Sequence, residues 1–505
     1  MATAPTPPQT PTAPSAPSLY QQLAERIATL IASGALKRGD RLPSVRDMAQ
    51  QQSVSLATVL QAYRTLEDQR LIEARPRSGY FVALRAASTP IGRKAAAAPE
   101  LPEITQPPAE SRPVEVSQIV ERVMVAATDP HVISFGAACP GGDLFPNDRM
   151  RRAISRAAQR QHAALGRYPF APGIAPVREA IARRALALGC QLDPARILIT
   201  NGCIESISLC LRAVTQPGDI VALESPTYFG FLQILQSLHL RALEIPTDPR
   251  TGISLPALEL ALDTQPIKAV LVVPTLSNPL GSTMPLAARR SLARLLEERG
   301  VPLVEDALYN DLHGRGEGRR AVKSFDTSGN VMLCSSFSKT VSPGVRLGWV
   351  EAGRWATPVQ RLKATLSGGH TELIEWAMAD VLCQPGHEPA LRTLRATIAS
   401  RIEQARRLIA LSFPAGTRIT APEGGFILWL ELPRGVDAVA LFQAALAENI
   451  CIAPGPMFSS SARYDHCIRL GLGRAWGPAE QQALQRVGAM VQQMVAAAGP
   501  MAKAA

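Results

Sequence analysis

The stretch Val331-Met332-Leu333-Cys334-Ser335-Ser336-Phe337-Ser338-Lys339, followed by Pro343-Gly344-Val345-Arg346-Leu347-Gly348, decides how this chain is read. Val331 to Cys334 is short and continuously apolar, as a buried strand is. Three serines and a lysine follow within five residues of its end. An amine held in such a place becomes nucleophilic when desolvation and neighbouring cations lower its pKa. The Ser-x-Ser-Lys spacing and the trailing Arg346 set Lys339 apart from a solvated surface lysine.

Outward from this stretch, apolar runs alternate with helical patterns from about Val114 to Met494. Arg196 to Thr200, Ile220 to Leu223, Ala269 to Pro274 and Pro302 to Glu305 are the further predicted strands. This alternation predicts an α/β fold with a largely parallel sheet covered on both faces. Beyond about Gly416, strands at Phe426 to Leu430 and Cys467 to Leu470 predict a smaller C-terminal α+β subdomain. Polar segments follow the strands directly: Thr200-Asn201-Gly202-Cys203-Ile204, Ser225-Pro226-Thr227-Tyr228, Pro274-Thr275-Leu276-Ser277-Asn278-Pro279, and Val304-Glu305-Asp306-Ala307-Leu308-Tyr309. In open α/β sheets ligands bind outside the carboxyl ends of the strands, so this clustering predicts a binding site.

A chain of 505 residues exceeds one compact core, and 46% hydrophobic with 19% charged residues is an ordinary globular composition. The net charge of +11 suits a polyanionic partner. No apolar run reaches the roughly 18 residues of a membrane span, and no secretory leader is visible, so a cytoplasmic protein without membrane contact is expected. Eight cysteines and seven histidines show no metal-ligand spacing and no C-x-x-C pair, which predicts reduced thiols and no metal.

Residues 1–17 are almost entirely Ala, Pro, Thr, Ser and Gln and predict a disordered tail. Leu19, Leu23, Ile27 and Ile31 then mark a first amphipathic helix. Ser44 with Asp47 resembles a capping box at the start of a short second helix, and Ser55 is placed to cap a third, whose buried face is Val59, Ala62, Tyr63 and Leu66. Runs at Leu71 to Ala74 and Tyr80 to Val82 flank the turn Arg75-Pro76-Arg77-Ser78-Gly79, a predicted hairpin or wing. Five basic and no acidic residues lie between Arg75 and Lys94. The expected organisation is a winged helix-turn-helix over 18–83, an Ala/Pro-rich linker over 84–115, the α/β domain over 116–494 and a flexible tail over 495–505.

The segment Leu42-Pro43-Ser44-Val45-Arg46-Asp47-Met48-Ala49, with Val54-Ser55-x-x-Thr58-Val59 and the wing, resembles the winged helix of the GntR regulators. That resemblance implies double-stranded DNA as partner, with Ser55 and Thr58 at a helix N-terminus and Arg46, Arg75 and Arg77 toward the backbone or a groove. Leu56 stands where many relatives carry an arginine.

The lysine stretch resembles the Schiff-base lysine motif of fold-type I pyridoxal phosphate (PLP) enzymes. The resemblance implies that Lys339 is the catalytic lysine. It gives the cofactor phosphate to Ser336, Ser338, Arg346 and the backbone at Gly202, Cys203 and Ile204. Tyr228 stacks on the pyridine, Asn278 donates to the phenolic oxygen with Tyr309 as a second hydroxyl partner, and Asp306 keeps the ring nitrogen protonated. Arg469, in Cys467-Ile468-Arg469-Leu470, matches the arginine that pairs a carboxylate, and a strand-end salt bridge is its alternative. Tyr168, in Tyr168-Pro169-x-x-x-Gly173, matches the tyrosine that reaches the phosphate of the neighbouring subunit, which implies a homodimer. Cys203, Glu205 and Ala307 depart from the commoner residues. The whole order resembles the MocR subfamily of GntR regulators, in which the aminotransferase-like domain senses an amino acid or amine. A PLP-dependent aminotransferase with a DNA-binding appendage is the alternative.

Overall fold

The computed structural model describes residues 19–32, 36, 39–52, 54–68, 71–75, 79–82, 115–314, 316–460 and 464–497. The predicted tail at 1–17, nearly all of the predicted linker, Arg77 and Ser78 lie outside the described residues. The chain divides into two compact units near residue 107.

In the first unit, helices Leu19–Ala32, Val45–Gln51 and Leu56–Asp68 precede a hairpin of strands Ile72–Arg75 and Gly79–Val82, paired Ile72 to Val82 and Arg75 to Gly79. Both expected caps form. The Ser44 hydroxyl accepts from the Asp47 amide at 3.2 Å, and that of Ser55 from the Thr58 amide at 3.1 Å. Val59, Ala62, Tyr63 and Leu66 fall on one stripe and are buried with Leu23, Ile27, Ile72 and Val82 in a small core. Tyr63 also donates its hydroxyl to the Pro43 carbonyl at 2.9 Å, which fixes the second helix to the third. Leu19 has the right spacing for this stripe but sits exposed in the first helical turn.

The second unit is built on an eight-stranded sheet. Ile197–Thr200, Gly348–Glu351, Val331–Ser336, Leu303–Asp306, Ile267–Val272, Ile220–Ser225, Arg241–Asp248 and Gly252–Ile253 are neighbours in that order. Gly348–Glu351 is antiparallel to both its neighbours, so Ile197–Thr200 points the same way as the parallel strands beyond it. Five predicted strands are therefore present, with ends shifted by a few residues, and their carboxyl ends share one edge. Arg241–Asp248 was not evident in the sequence, because its partly exposed positions Arg241, Glu244 and Asp248 break the apolar run. Alternate residues pack on opposite faces. Leu198, Leu223, Leu271, Val304, Met332 and Val350 join helix Cys203–Val214 in one core, while Ile199, Leu333 and Trp349 join a second and Val270, Val272 and Leu303 a third. Covering both faces is why the strands are apolar throughout.

The C-terminal part forms an antiparallel sheet in the order Arg418–Ile419, Ile427–Glu431, Cys467–Gly471, Ala453–Pro454. Ile133–Ser134 pairs in parallel with Ile450–Cys451 and so ties an early segment to this late one. Helix Pro478–Ala497 ends the described chain. Among the described residues no helix is long and apolar enough to cross a membrane.

Candidate functional site

Because five strands end at one edge, the segments that leave them converge. Cys203, Ile204, Tyr228, Asn278, Asp306, Tyr309, Ser336, Ser338, Lys339, Arg346 and Arg469 all line one cavity of about 250 Å³. Those residues are spread over more than half of the sequence, from Cys203 to Arg469, and the sheet order brings them together.

Lys339 follows the strand Val331–Ser336, and its Nζ donates to the Ala138 carbonyl at 2.6 Å. Burial holds its pKa below the ordinary lysine value, and the cations Arg469 and Arg346 act in the same direction against the nearby Cys139 and Asp306. Asp306 ends its own strand and is buried. Its Oδ1 accepts from the Leu308 amide at 2.9 Å and from the Cys203 thiol at 3.3 Å. Desolvation still pushes the carboxyl up to about 6. Tyr228 lies against Phe229 and edge-on to Phe231, at 4.6 and 5.3 Å between ring centres, and burial raises its pKa to about 12. Tyr309 is buried edge-on to Phe426 and is also shifted upward by burial.

One end of the cavity is built for an anion. Gly202 precedes helix Cys203–Val214 with φ of 100° and ψ of 170°, backbone that side-chain-bearing residues avoid. A Cβ there would also come within 2.6 Å of the Arg346 guanidinium. The Arg346 Nη2 donates to the Asn201 carbonyl at 3.2 Å. Gly348 presses so closely on Gly202 that a Cβ would sit 2.5 Å from its carbonyl carbon. The helix start at Cys203 and Ile204, Arg346, Ser336 and Ser338 thus line the same cavity, and amides of a helix's first turn suit an anion. The Ser338 hydroxyl is buried without a partner among the described residues. The departure at Glu205 has a structural account. Its carboxylate accepts from the Asn201 amide, Lys363 and Ser367 at 2.6, 2.9 and 2.6 Å, which braces the turn before the helix.

At the other end, Arg469 is supplied by the small sheet and is 1% exposed. It donates to the Gly136 carbonyl and, at 3.4 Å, to Asn278 Oδ1, lies over the Phe458 ring, and leaves its Nε buried without a partner among the described residues. Its hydrogen bonds go to a carbonyl and an amide oxygen rather than to a carboxylate, so the strand-end salt bridge is not what it makes among the described residues. Desolvation lowers its pKa to about 10. Sequence reasoning did not find the segment Gly136-Ala137-Ala138-Cys139, which lines the cavity and accepts from both Arg469 and Lys339 through backbone carbonyls. Carbonyls carry no residue-type signature, and only the run of small residues pointed to close packing. Glu224 was not singled out either, and it is not among the cavity's lining residues. It is buried, accepts from the Val273 amide at 2.9 Å, and is pushed up to about 8 by burial.

Tyr168 is not brought to the cavity of its own chain. It stands 87% exposed beside exposed Leu165 and Phe170. In the first unit Arg46 and Ser55 are exposed and Thr58 half-buried near the start of helix Leu56–Asp68, where Leu56 and Leu60 also face outward. Arg75 closes its strand, and its side chain, like all of Arg77, lies outside the described residues.

Residues 131–481 match the family of class I and II aminotransferases, and residues 19–82 match the gntR family of bacterial regulatory proteins. The uncharacterized HTH-type transcriptional regulator YdcR of Escherichia coli (strain K12) is 38% identical over 474 residues, covering 94% of this chain and 99% of that protein. The probable rhizopine catabolism regulatory protein MocR of Rhizobium meliloti is 26% identical, over 86% of each chain. Among solved structures, LysN, an α-aminoadipate aminotransferase from Thermus thermophilus complexed with N-(5'-phosphopyridoxyl)-L-leucine, superposes with a TM-score of 0.69. It is 26% identical and covers 76% of this chain and 98% of its own. With a gntR-type DNA-binding domain ahead of a complete aminotransferase-like domain, the chain belongs to the MocR subfamily of GntR transcriptional regulators.

Proposed function

We propose that this regulator binds PLP in the 250 Å³ cavity and senses an amino acid or amine there, and that this ligand alters how the winged helices of a homodimer engage promoter DNA. The observation that carries the proposal is the convergence of Lys339, Asp306, Arg346 and Arg469 on one cavity. The residues fit the cofactor. A glycine cradle, Arg346 and the unpartnered Ser338 hydroxyl suit a phosphate, the buried Asp306 carboxyl suits a pyridine nitrogen, and a depressed lysine suits an aldehyde. Bound PLP supplies an aldehyde that condenses with amines and a ring that accepts electron density. Asn278 and Tyr309 orient the ring, and Tyr228 covers it. Arg469 then remains for an incoming carboxylate, with its Nε still unpaired among the described residues. The exposed Tyr168, Leu165 and Phe170, three large apolar side chains within six residues of sequence, support a second copy as partner. For regulation, the ligand must bind two arrangements of the dimer with different free energies.

Purified protein is expected to show a visible absorption band that Lys339→Ala abolishes. Arg469→Ala is expected to keep the band but to lose its response to an amino acid, a loss on the order of 2 to 5 kcal/mol for a buried charge-assisted pair. The same band in Lys339→Ala refutes the cofactor assignment, and an unchanged response in Arg469→Ala refutes the carboxylate role. The presence of Lys339, Asp306 and Arg469 together also favours a second reading, a working aminotransferase. Measured amino transfer to 2-oxo acids, beside DNA binding, separates the two.

A further inference from the structure

Four lining side chains of the cavity carry charge: Asp306, Lys339, Arg346 and Arg469. With PLP and a carboxylate-bearing effector in place, ring nitrogen, phosphate and effector carboxylate would meet Asp306, Arg346 and Arg469, while the effector's amine would take the place of the Lys339 amine at the aldehyde carbon. Asn278, Tyr309, Ser336 and Ser338 are directed at the cofactor as well. The lining residues left over are apolar, chiefly Met124, Ala137, Ala138, Phe229 and Leu308.

Ala137 and Ala138 line the cavity beside the backbone partners of Arg469 and Lys339. The Gly136 carbonyl accepts from Arg469, and the Ala138 carbonyl accepts from Lys339. The wall between them therefore spans from the carboxylate end of the site to the amine end. It cannot retreat to admit more. The Phe135 amide donates to the Cys451 carbonyl at 2.8 Å, the Gly471 amide donates to the Phe135 carbonyl at 2.7 Å, and a Cβ on Gly136 would come within 2.5 Å of the Cys451 sulfur.

Resting on the PLP-and-effector reading of this cavity, we propose that the effector is an amino acid with a short, uncharged side chain held against the wall formed by Met124, Ala137, Ala138, Phe229 and Leu308. A second carboxylate or an ammonium on that side chain would be buried beside apolar groups: among the described lining residues Asp306, Arg346 and Arg469 are committed to cofactor and effector carboxylate, and the displaced Lys339 lies at the amine end with the Ala138 carbonyl as its partner.

The test uses the full-length, PLP-loaded protein and follows its visible spectrum during titration with L-alanine, L-2-aminobutyrate, L-glutamate, L-lysine and propylamine. L-alanine and L-2-aminobutyrate are expected to act at the lowest concentrations. L-glutamate and L-lysine should need at least about 100-fold more, and propylamine, with no carboxylate for Arg469, should also be weak. Met124→Arg adds a cation from a side chain that is 43% exposed and lines the cavity, so folding tolerates it. It should improve the glutamate response about tenfold relative to alanine. Glutamate or lysine matching alanine on the wild type, or an unchanged glutamate-to-alanine ratio in Met124→Arg, overturns the proposal. A wild-type protein with no visible band, or with no response to any of the five compounds, overturns the underlying reading of the cavity and this inference with it.

Discussion

At Asp306 the cost of a buried charge and the use of that charge are opposed. The protein's own groups push this carboxyl to about 6, chiefly by desolvation, although the Leu308 amide and the Cys203 thiol favour the ionised form. An unfolded chain titrates near the ordinary value of about 3.9. Between about pH 4 and 6 the folded protein therefore binds more protons than the unfolded one, and the Asp306 contribution to stability declines as pH rises through that window. In protein stripped of PLP, Asp306→Asn is expected to remove this slope and to raise stability at pH 7 by up to about 3 kcal/mol. With PLP bound the sign reverses, because a neutral amide lacks the charge that keeps the ring nitrogen protonated. Melting curves of both forms from about pH 4 to 7 check this. Equal melting temperatures for mutant and wild type in the stripped protein at neutral pH would refute the desolvation argument.

At the scale of an element, the start of helix Cys203–Val214 is the part most exposed to a small change. Gly202 occupies backbone that is essentially restricted to glycine, and its face is filled by Arg346. Gly202→Ala is expected to cost about 1 to 3 kcal/mol of stability in denaturant titration, from backbone strain alone. The new methyl must also displace the guanidinium, so PLP affinity should fall further than stability does. A variant with wild-type PLP affinity would show that the phosphate is held elsewhere. The helix itself does not depend on this cap, since Ser206, Ile207, Cys210 and Leu211 are buried against the sheet and keep it docked.

At the scale of the whole molecule, two units divide recognition between a polyanion and a small ligand. The basic residues of the first unit release counterions when they meet phosphates, so DNA affinity is expected to fall steeply with salt. Each phosphate contact contributes about −0.9 to the slope of log K against log salt, so Arg46→Ala should flatten that slope by about 1 and weaken binding to most sequences alike. Filter binding or fluorescence anisotropy over a salt series measures it. Promoter binding that survives deletion of residues 1–83 would sink the assignment of DNA recognition to the winged helix.

The sequence by itself determined the elements and the chemistry of the motifs. Period and apolarity are local properties, so the three N-terminal helices, their Ser44 and Ser55 caps and five sheet strands could be read directly. That Lys339, Asp306, Asn278 and Tyr228 share one cavity was legible because each follows a strand end in a recognisable order. Three features needed the tertiary structure. The antiparallel strand Gly348–Glu351 starts opposite the end of Val331–Ser336, so the connection between the two keeps Arg346 at the shared edge, which strand spacing alone does not specify. The backbone carbonyls of Gly136 and Ala138 become partners for Arg469 and Lys339 only after Ile133–Ser134 pairs with the distant Ile450–Cys451. That Arg469 meets neutral oxygens rather than a carboxylate among the described residues is likewise a property of what packs around it. Local patterns fix what a segment can become, whereas contacts between distant segments depend on sheet order and burial, and those are decided by the fold as a whole.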